Sequence, residues 1–285
     1  MNEQAARLIE LRRLEEKEKK SKSSTIISIC SGKGGTGKTF FAANFANQLS
    51  QMKKKILLID LDLNFSNLNI LLNETSTNTI SNFFEQSNSL EELIYNATPY
   101  LHLIFGDSGR SDYPRVGIEI LDYLFFSLSK IQSNYDYIIL DSSAGADIIT
   151  LHQIARSDFN FIITSPEPTA IMDAYVIVKL LLESGTEAKK YVVVNKCASI
   201  EEGESAYNNL SMAAKHFMDE RIELLGFIGF DSSAHKSIVN QELLLNYDSE
   251  STAAKNILEI SERFCKYVQV ANNNHAYQTT PQIKS

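Results

Sequence analysis

A short glycine-rich stretch, S-G-K-G-G-T-G-K-T at 31–39, carries the residue types that hold phosphate groups. Within it, Gly32, Gly37, Lys38 and Thr39 have the spacing G-x-x-x-x-G-K-[ST] of a phosphate-binding loop. Glycines let backbone N–H groups curl around phosphate oxygens, the lysine neutralises phosphate charge, and the threonine hydroxyl is a ligand for Mg²⁺. The stretch therefore predicts a nucleotide site made by Gly32, Lys33, Gly34, Gly35, Thr36, Gly37, Lys38, Thr39 and Phe40.

The loop also contains a lysine, Lys33, that phosphate binding of this kind does not require. It lies too early in the loop to duplicate the role of Lys38. A second positive charge can stabilise the charge that spreads over a phosphoryl group in the transition state. The alternative is that Lys33 is a solvated loop lysine.

Three aspartates follow apolar runs that are typical of buried strands. Asp60 ends the run I-L-L-I-D, Asp62 comes two residues later, and Asp141 ends the run Y-I-I-L-D. The carboxyl ends of strands in an open α/β sheet face the ligand crevice. We therefore expect these three carboxylates to lie beside the glycine-rich loop.

The elements that must position these residues alternate along the chain. Several strands are apolar on both faces, which is typical of a parallel sheet covered by helices on each side. The sequence predicts an α/β fold with a doubly wound, mostly parallel sheet and helices on both faces. The predicted strands are 25–30, 55–60, 101–105, 135–140, 160–164, 191–194 and 224–228, and the predicted helices are 39–52, 117–132, 148–155, 169–183, 204–220 and 252–270.

Composition and charge limit the class of protein. The chain has 285 residues and a net charge of −8, which disfavours sequence-independent DNA binding through a basic surface. Cys30, Cys197 and Cys265 show no metal or disulfide spacing, which favours a reducing cytosol. No apolar run resembles a signal peptide or a membrane span. We expect one domain at 23–271, a charged appendage at 1–22 and a disordered tail at 272–285.

The loop K-G-G-x-x-G-K-T, followed by the acidic strand ends, resembles the MinD/ParA family of ATPases. The resemblance implies ATP and Mg²⁺ as ligands, slow hydrolysis, and an ATP-dependent homodimer that sandwiches two nucleotides. It implies that Lys38 acts within its own subunit and that Lys33 reaches the phosphates of the partner. It also implies that Asp62 orients the attacking water and that Mg²⁺ is held by Thr39, Asp60 and Asp141.

The same resemblance suggests residues for the adenine base. Asn195 follows a predicted strand in V-V-V-N-K, and Asp231 lies in the turn G-F-D, where the family carries I-P-x-D. Here Gly229 replaces the proline. A helix N-cap is an equally supported role for Asp231.

Two segments resemble the FlhG branch of this family, the flagellar-number regulators. One is T-S-P-E-P-T-A-I-M-D-A-Y, which begins at Thr164. The other is the N-terminal segment, where Gln4, Ala5 and Leu8 match a motif that stimulates an FlhF-type GTPase, while Glu3 and Ile9 depart from it. The branch implies FlhF, flagellar C-ring proteins or a flagellar transcription activator as partners. The alternative for 1–22 is a solvated charged helix.

Other members of the family leave three alternatives. A MinD-like division-site regulator would need a membrane-binding helix, for which 252–270 is the candidate, although this helix could equally cover the sheet. A ParA-type partition ATPase would bind DNA, which the acidic charge disfavours. An iron–sulfur reductase of this fold would need bridging cysteine pairs, which this sequence lacks. We expect a cytoplasmic protein, with peripheral contact to the cell membrane left open.

Overall fold

The structure is a computed structural model and describes residues 24–62, 66–74, 76–107 and 114–278. The predicted partner-binding residues Gln4, Ala5 and Leu8, and the end of the predicted tail at 279–285, lie outside this part of the chain. Within it, no helix is long and apolar enough to cross a membrane.

Eight strands form a single sheet in the order β3-β4-β2-β5-β1-β6-β7-β8. All neighbouring pairs are parallel except β3 and β4, which are antiparallel. The strands are β1 Thr25–Ser31, β2 Ile56–Asp60, β3 Tyr95–Asn96, β4 Leu101–Ile104, β5 Tyr137–Ala144, β6 Phe159–Thr164, β7 Lys189–Cys197 and β8 Glu223–Gly229.

The helices that the structure describes connect these strands and cover both faces of the sheet. They are α1 Lys38–Gln51, α2 Leu68–Leu71, α3 Ile80–Phe84, α4 Ile118–Ile131, α5 Ile148–Ala155, α6 Pro168–Glu183, α7 Ile200–Met218, α8 Ser232–Val239, α9 Leu244–Tyr247 and α10 Thr252–Gln278. Short 3₁₀ turns occur at Glu91–Leu93 and Gln132–Asn134.

Alternate residues of the central strands enter different cores, which explains why these strands are apolar throughout. Ile27 and Ile29 of β1 pack with α1 and α10, whereas Cys30 packs with α6 and α7 on the opposite face. Beside this second core, Leu57 and Ile59 of β2 pack with α4. The predicted doubly wound α/β fold is confirmed.

The predicted strands and helices are all present, but several boundaries differ, among them that of β5, which continues past Asp141 to Ala144. The two-residue strand β3 and the helices α2, α3, α8 and α9 were not predicted. Helix α7 begins at Ile200 rather than 204, because the Ser199 side chain accepts a hydrogen bond from the N–H of Glu202 and caps it. Helix α10 continues to Gln278, so it runs past the predicted end at 270 and into the segment predicted as a disordered tail.

Helix α10 belongs to the core. Ile257, Ile260 and Phe264 are buried, and the Phe264 ring contacts those of Phe45 and Phe161, with centroids 5.8 and 5.2 Å apart. The sequence left two roles open for this helix, membrane binding and covering the sheet. The apolar face that the structure describes covers the sheet. That face is not available to a membrane.

Candidate functional site

The glycine-rich loop lies between the end of β1 and the start of α1, at the carboxyl edge of the sheet. Gly37 has φ 90°, in the left-handed region that favours glycine, and a Cβ there would collide with the Asn195 amide nitrogen. A Cβ on Gly32 would collide with the backbone of Asp173 in α6. The loop is therefore packed closely between α6 and β7, and glycine is required at both positions.

Lys38 is the first residue of α1 and is paired with Asp141. Its Nζ lies 2.7 Å from Asp141 Oδ1, and the two side chains are 8% and 0% exposed. Burial opposes the positive charge, but the charge and hydrogen bond of Asp141, together with the charges of Asp60 and Asp62, outweigh it, so the pKa of Lys38 is raised. Thr39 follows in the first helical turn and is partly buried. A charged lysine is thus held at the floor of the loop, where phosphate would lie.

Asp60 and Asp141 face each other on neighbouring strands, because β2 and β5 pair in register at these two residues. Asp60 accepts hydrogen bonds from the Ser66 hydroxyl at 2.6 Å and from the N–H of Asp62 at 2.9 Å. Burial and the nearby charge of Asp141 raise the pKa of Asp60 to about 7. Negative charges on two neighbouring carboxyl groups repel each other, and a bound cation would stabilise both charges.

The residues present fit Mg²⁺. Asp141 Oδ2 is buried and has no hydrogen-bond partner among the residues that the structure describes. Buried polar atoms are normally paired, so an unpaired carboxylate oxygen indicates a missing water or ion. Carboxylate and hydroxyl oxygens are ligands that Mg²⁺ prefers. Thr39, Asp60 and Asp141 would hold the ion, directly or through water.

Asp62 lies two residues beyond β2, and its N–H is the donor to Asp60 described above. On the other side, the Ser143 hydroxyl donates to the Leu61 carbonyl oxygen at 3.2 Å. The segment that follows β2 is therefore linked to the last residues of β5. This brings Asp62 to the same edge as the loop, as the sequence predicts.

Lys33 does not join Lys38. Its Nζ lies 2.8 Å from Glu167 Oε2 and 3.1 Å from Thr169 Oγ1, at the start of α6. The hydrogen bond and charge of Glu167 raise the pKa of Lys33. Both side chains of the pair are well exposed, at 41% and 65%, so the pair is weak. Lys33 is thus positioned at the surface, away from the floor of its own loop.

Asn195 contacts the phosphate loop. Its Nδ2 donates to the Thr36 carbonyl oxygen at 2.8 Å, and its Oδ1 accepts from the N–H of Lys196 at 2.9 Å. Lys196 in turn donates from Nζ to the Gly35 carbonyl oxygen at 2.7 Å. These bonds fasten the loop to the end of β7, so Asn195 positions the loop here, and its contact with adenine stays a prediction.

Asp231 is the N-cap of α8. One carboxylate oxygen accepts from the N–H of Ser233 at 2.8 Å, and the other accepts from the N–H of Ala253, in the first turn of α10, at 3.1 Å. The structural role that the sequence left open is therefore present. The same carboxylate joins two helices, and base contact by Asp231 stays a prediction.

Three residues of the site were not named from the sequence, namely Glu167, Thr169 and Lys196. Glu167 and Thr169 lie in the string that resembles the FlhG branch, which is the signal that could have found them. Lys196 follows Asn195 directly, but only the sheet order β1-β6-β7 shows that it reaches the loop.

The chain is similar to known proteins over most of its length. The family model described as an AAA domain matches residues 24–192, more than half of the chain. The chain is 32% identical over 250 residues to the flagellum site-determining protein YlxH of Helicobacter pylori, covering 86% of this chain and 84% of that protein. It is 24% identical to the antiactivator FleN of Pseudomonas aeruginosa, covering 87% and 88%.

Solved structures show the same fold. The cell division ATPase MinD of Pyrococcus furiosus superposes with a TM-score of 0.73 at 23% identity, covering 86% of this chain and 99% of that one. The septum site-determining protein MinD of Pyrococcus horikoshii, solved in complex with Mg-ADP, has a TM-score of 0.72 at 25% identity, with 87% and 98% covered. With its two-lysine phosphate loop and the paired aspartates Asp60 and Asp141 on neighbouring strands, the chain belongs to the MinD/ParA family of P-loop ATPases.

Proposed function

We propose that this protein is a cytoplasmic switch that dimerises on binding ATP and Mg²⁺, resets by slow hydrolysis, and controls the number or placement of flagella. The observation that carries the dimer is the position of Lys33. Lys33 is exposed and held only by a weak ion pair with Glu167. It can therefore leave Glu167 and bind the phosphates of a second subunit instead. Lys38, on the floor of the loop, would serve the nucleotide of its own subunit.

The flagellar role is supported by relatives and by two segments of the chain. Relatives named for flagellum site determination and for antiactivation match over most of their own length. Glu167 and Thr169, which hold Lys33, lie in the string that resembles the FlhG branch. Residues 1–22 would bind an FlhF-type GTPase through Gln4, Ala5 and Leu8, and C-ring proteins or a flagellar transcription activator are further partners.

The switch is tested by light scattering and phosphate release with Mg-ATP. Wild type should be a monomer without nucleotide and a dimer with ATP. Asp62→Ala should trap the dimer, because the attacking water loses its orienting group. Lys33→Ala should bind ATP but fail to dimerise and hydrolyse. The matched control is Lys179→Ala, which removes an exposed lysine paired with Glu183 further along α6. Normal hydrolysis by Lys33→Ala would exclude the cross-dimer role.

The flagellar partner is tested separately by GTP hydrolysis of a purified FlhF-type protein, with and without a peptide of residues 1–22. We expect stimulation, and loss of stimulation in a peptide carrying Gln4→Ala and Leu8→Ala. If an active FlhF-type protein is not stimulated, the proposed ATPase activity still stands, and a MinD-like role is favoured over the flagellar one. ATP-dependent flotation with vesicles, or salt-sensitive DNA binding, would then identify the division-site or partition alternative.

A further inference from the structure

Lys196 lies near the end of β7 in a backbone conformation that few residues other than glycine adopt. Its φ is 61°, in the left-handed region. The register between β7 and β8 shifts between Val194 and Cys197, so the strand is irregular at this residue. Irregularities of this kind re-aim side chains beside functional sites, and a strained backbone persists only where its surroundings hold it. Here the Lys196 side chain reaches the phosphate loop, where its Nζ lies 2.7 Å from the Gly35 carbonyl oxygen.

Glu167 lies within the influence of both Lys196 and Lys33. Lys33 pairs with Glu167 on the rim of the loop, and Gly35 is only two residues further along the same rim. Glu167 and Lys196 also come from adjacent strand ends, because each lies within three residues of the last parallel pair of β6 with β7. The hydrogen bond and charge of Lys33 lower the pKa of Glu167, and the charge of Lys196 lowers it further. Two lysines therefore stabilise one exposed carboxylate.

The proposed dimer takes one of these two lysines away from Glu167. When Lys33 binds the phosphates of the partner subunit, Glu167 loses its hydrogen bond and its closest positive charge. Its carboxylate would then be unpaired on a surface that the second subunit covers, near the anionic phosphates that Lys33 has bound. An uncompensated charge that is taken out of water is costly. Lys196 can compensate it by leaving Gly35, because Gly35 is exposed and its carbonyl oxygen can accept a hydrogen bond from water instead.

We propose that Lys196 replaces Lys33 as the partner of Glu167 when the ATP-bound dimer forms. This inference rests on the proposed dimer and adds the residue that compensates the release of Lys33. Lys196 is thus a positioning residue, which acts on dimerisation through Glu167 rather than through the nucleotide. The exchange is reversible, so that loss of the terminal phosphate after hydrolysis returns Lys33 to Glu167 and Lys196 to Gly35.

A double-mutant cycle between Lys196 and Glu167 tests this exchange. Sedimentation velocity measures the dimerisation constant of the full chain with Mg²⁺ and AMPPNP, an ATP analogue that is not hydrolysed. The nucleotide is present at a concentration that calorimetry shows to saturate each variant. The cycle consists of wild type, Lys196→Met, Glu167→Gln and the double variant, and Lys196→Arg tests rescue by a conserved charge. Lys189→Met is the matched control, since Lys189 is exposed and begins the same strand at the opposite edge of the sheet.

We expect Lys196→Met to weaken the dimer about ten-fold while Glu167 is present, more than loss of an exposed ion pair causes, because the carboxylate stays uncompensated at the interface. In the Glu167→Gln background the same substitution should change the dimerisation constant by no more than about two-fold, since no charge is left to compensate. Lys196→Arg and Lys189→Met should dimerise as wild type does.

Equal losses in the two backgrounds would overturn the inference, because Lys196 would then only hold the loop. A wild-type dimer that Lys196→Met leaves unchanged would also overturn it, and the proposed dimer would stand. If wild type itself stays a monomer with Mg²⁺ and AMPPNP, the proposed function fails and the inference falls with it.

Discussion

Three charged groups, Lys38, Asp60 and Asp141, lie buried at the centre of the site. Taking charges out of water costs several kcal/mol per ion, and only close pairing offsets this cost. The ion pair of Lys38 with Asp141 at 2.7 Å provides that pairing, while Asp60 responds with a pKa raised to about 7. The site is therefore arranged for ligand binding and depends on Lys38 for its stability before the ligand arrives.

Lys38→Met should destabilise the nucleotide-free protein by about 3–5 kcal/mol, because Asp141 would remain buried without its cation. Urea unfolding at pH 8 measures the change. The double variant Lys38→Met/Asp141→Asn should recover much of the loss, since it removes the unpaired charge. If Lys38→Met were as stable as wild type, the Asp141 carboxylate would not depend on Lys38 for its stabilisation.

Glu167→Gln should strengthen ATP-dependent dimerisation. The variant removes the ion pair that holds Lys33 within its own subunit. Because an exposed pair of this kind is weak, we expect the dimerisation constant to rise by up to about five-fold. Sedimentation velocity with ATP measures the dimer. Glu183→Gln, which breaks the pair with Lys179 on the same helix, is the control and should have no effect. A weaker dimer in Glu167→Gln would show that Glu167 is itself needed at the interface.

At the scale of elements, the loops that follow the strands are fixed by helix caps. Asp147 caps α5 after β5, Ser199 caps α7 after β7, and Asp231 caps α8 after β8. A capping side chain satisfies backbone N–H groups that the first helical turn leaves unpaired. These caps set where each loop ends, and so they fix the edge of the sheet at which the site is built.

Asp147→Ala should lower the free energy of unfolding by about 1 kcal/mol at pH 7. Burial opposes ionisation of Asp147, but hydrogen bonds from Thr150 and Ile149 outweigh it and hold its pKa below the ordinary 3.8. Its stabilisation is thus present above pH 3.8 and is lost as pH falls through the lower folded value. Urea unfolding from pH 7 to pH 3 should show that the difference in free energy of unfolding between wild type and Asp147→Ala becomes smaller as the pH falls. A difference that does not change with pH would contradict this account.

Periodicity and strand-end chemistry predicted the elements and residues whose signals are local. The apolar runs gave the parallel strands, and the spacing of Gly32, Gly37 and Lys38 gave the loop. Helices α2, α3 and α9 have only four or five residues, which is too short for a helical period to show. The contact of Lys33 with Glu167 depends on α6 following β6 beside β1, and no spacing along the chain encodes that arrangement.

At the scale of the whole molecule, α10 is held by aromatic packing. The Phe264 ring contacts Phe45, Tyr137, Phe159 and Phe161 with centroids 5.2–5.8 Å apart. This cluster joins the last helix to α1 and to the two strands β5 and β6. The phosphate loop precedes α1 directly, so the packing of α10 against α1 helps to hold the loop in place.

Phe264→Ala should cost about 3–5 kcal/mol, as expected for truncating a fully buried phenylalanine. Leu258→Ala on the same helix should cost far less, since Leu258 is 36% exposed. Urea unfolding of both variants gives the comparison. Equal losses would mean that α10 is not anchored through this cluster.

The place of β1 in the sheet has a consequence for how the chain folds. β1 is the first strand along the part of the chain that the structure describes, yet its partners are β5 and β6, which begin at Tyr137 and Phe159. Contacts so distant in sequence form slowly, and an unpaired apolar strand invites association with other chains meanwhile. The nascent protein must therefore carry an apolar strand without its sheet neighbours until β5 and β6 have been made, and it would benefit from a chaperone during that interval.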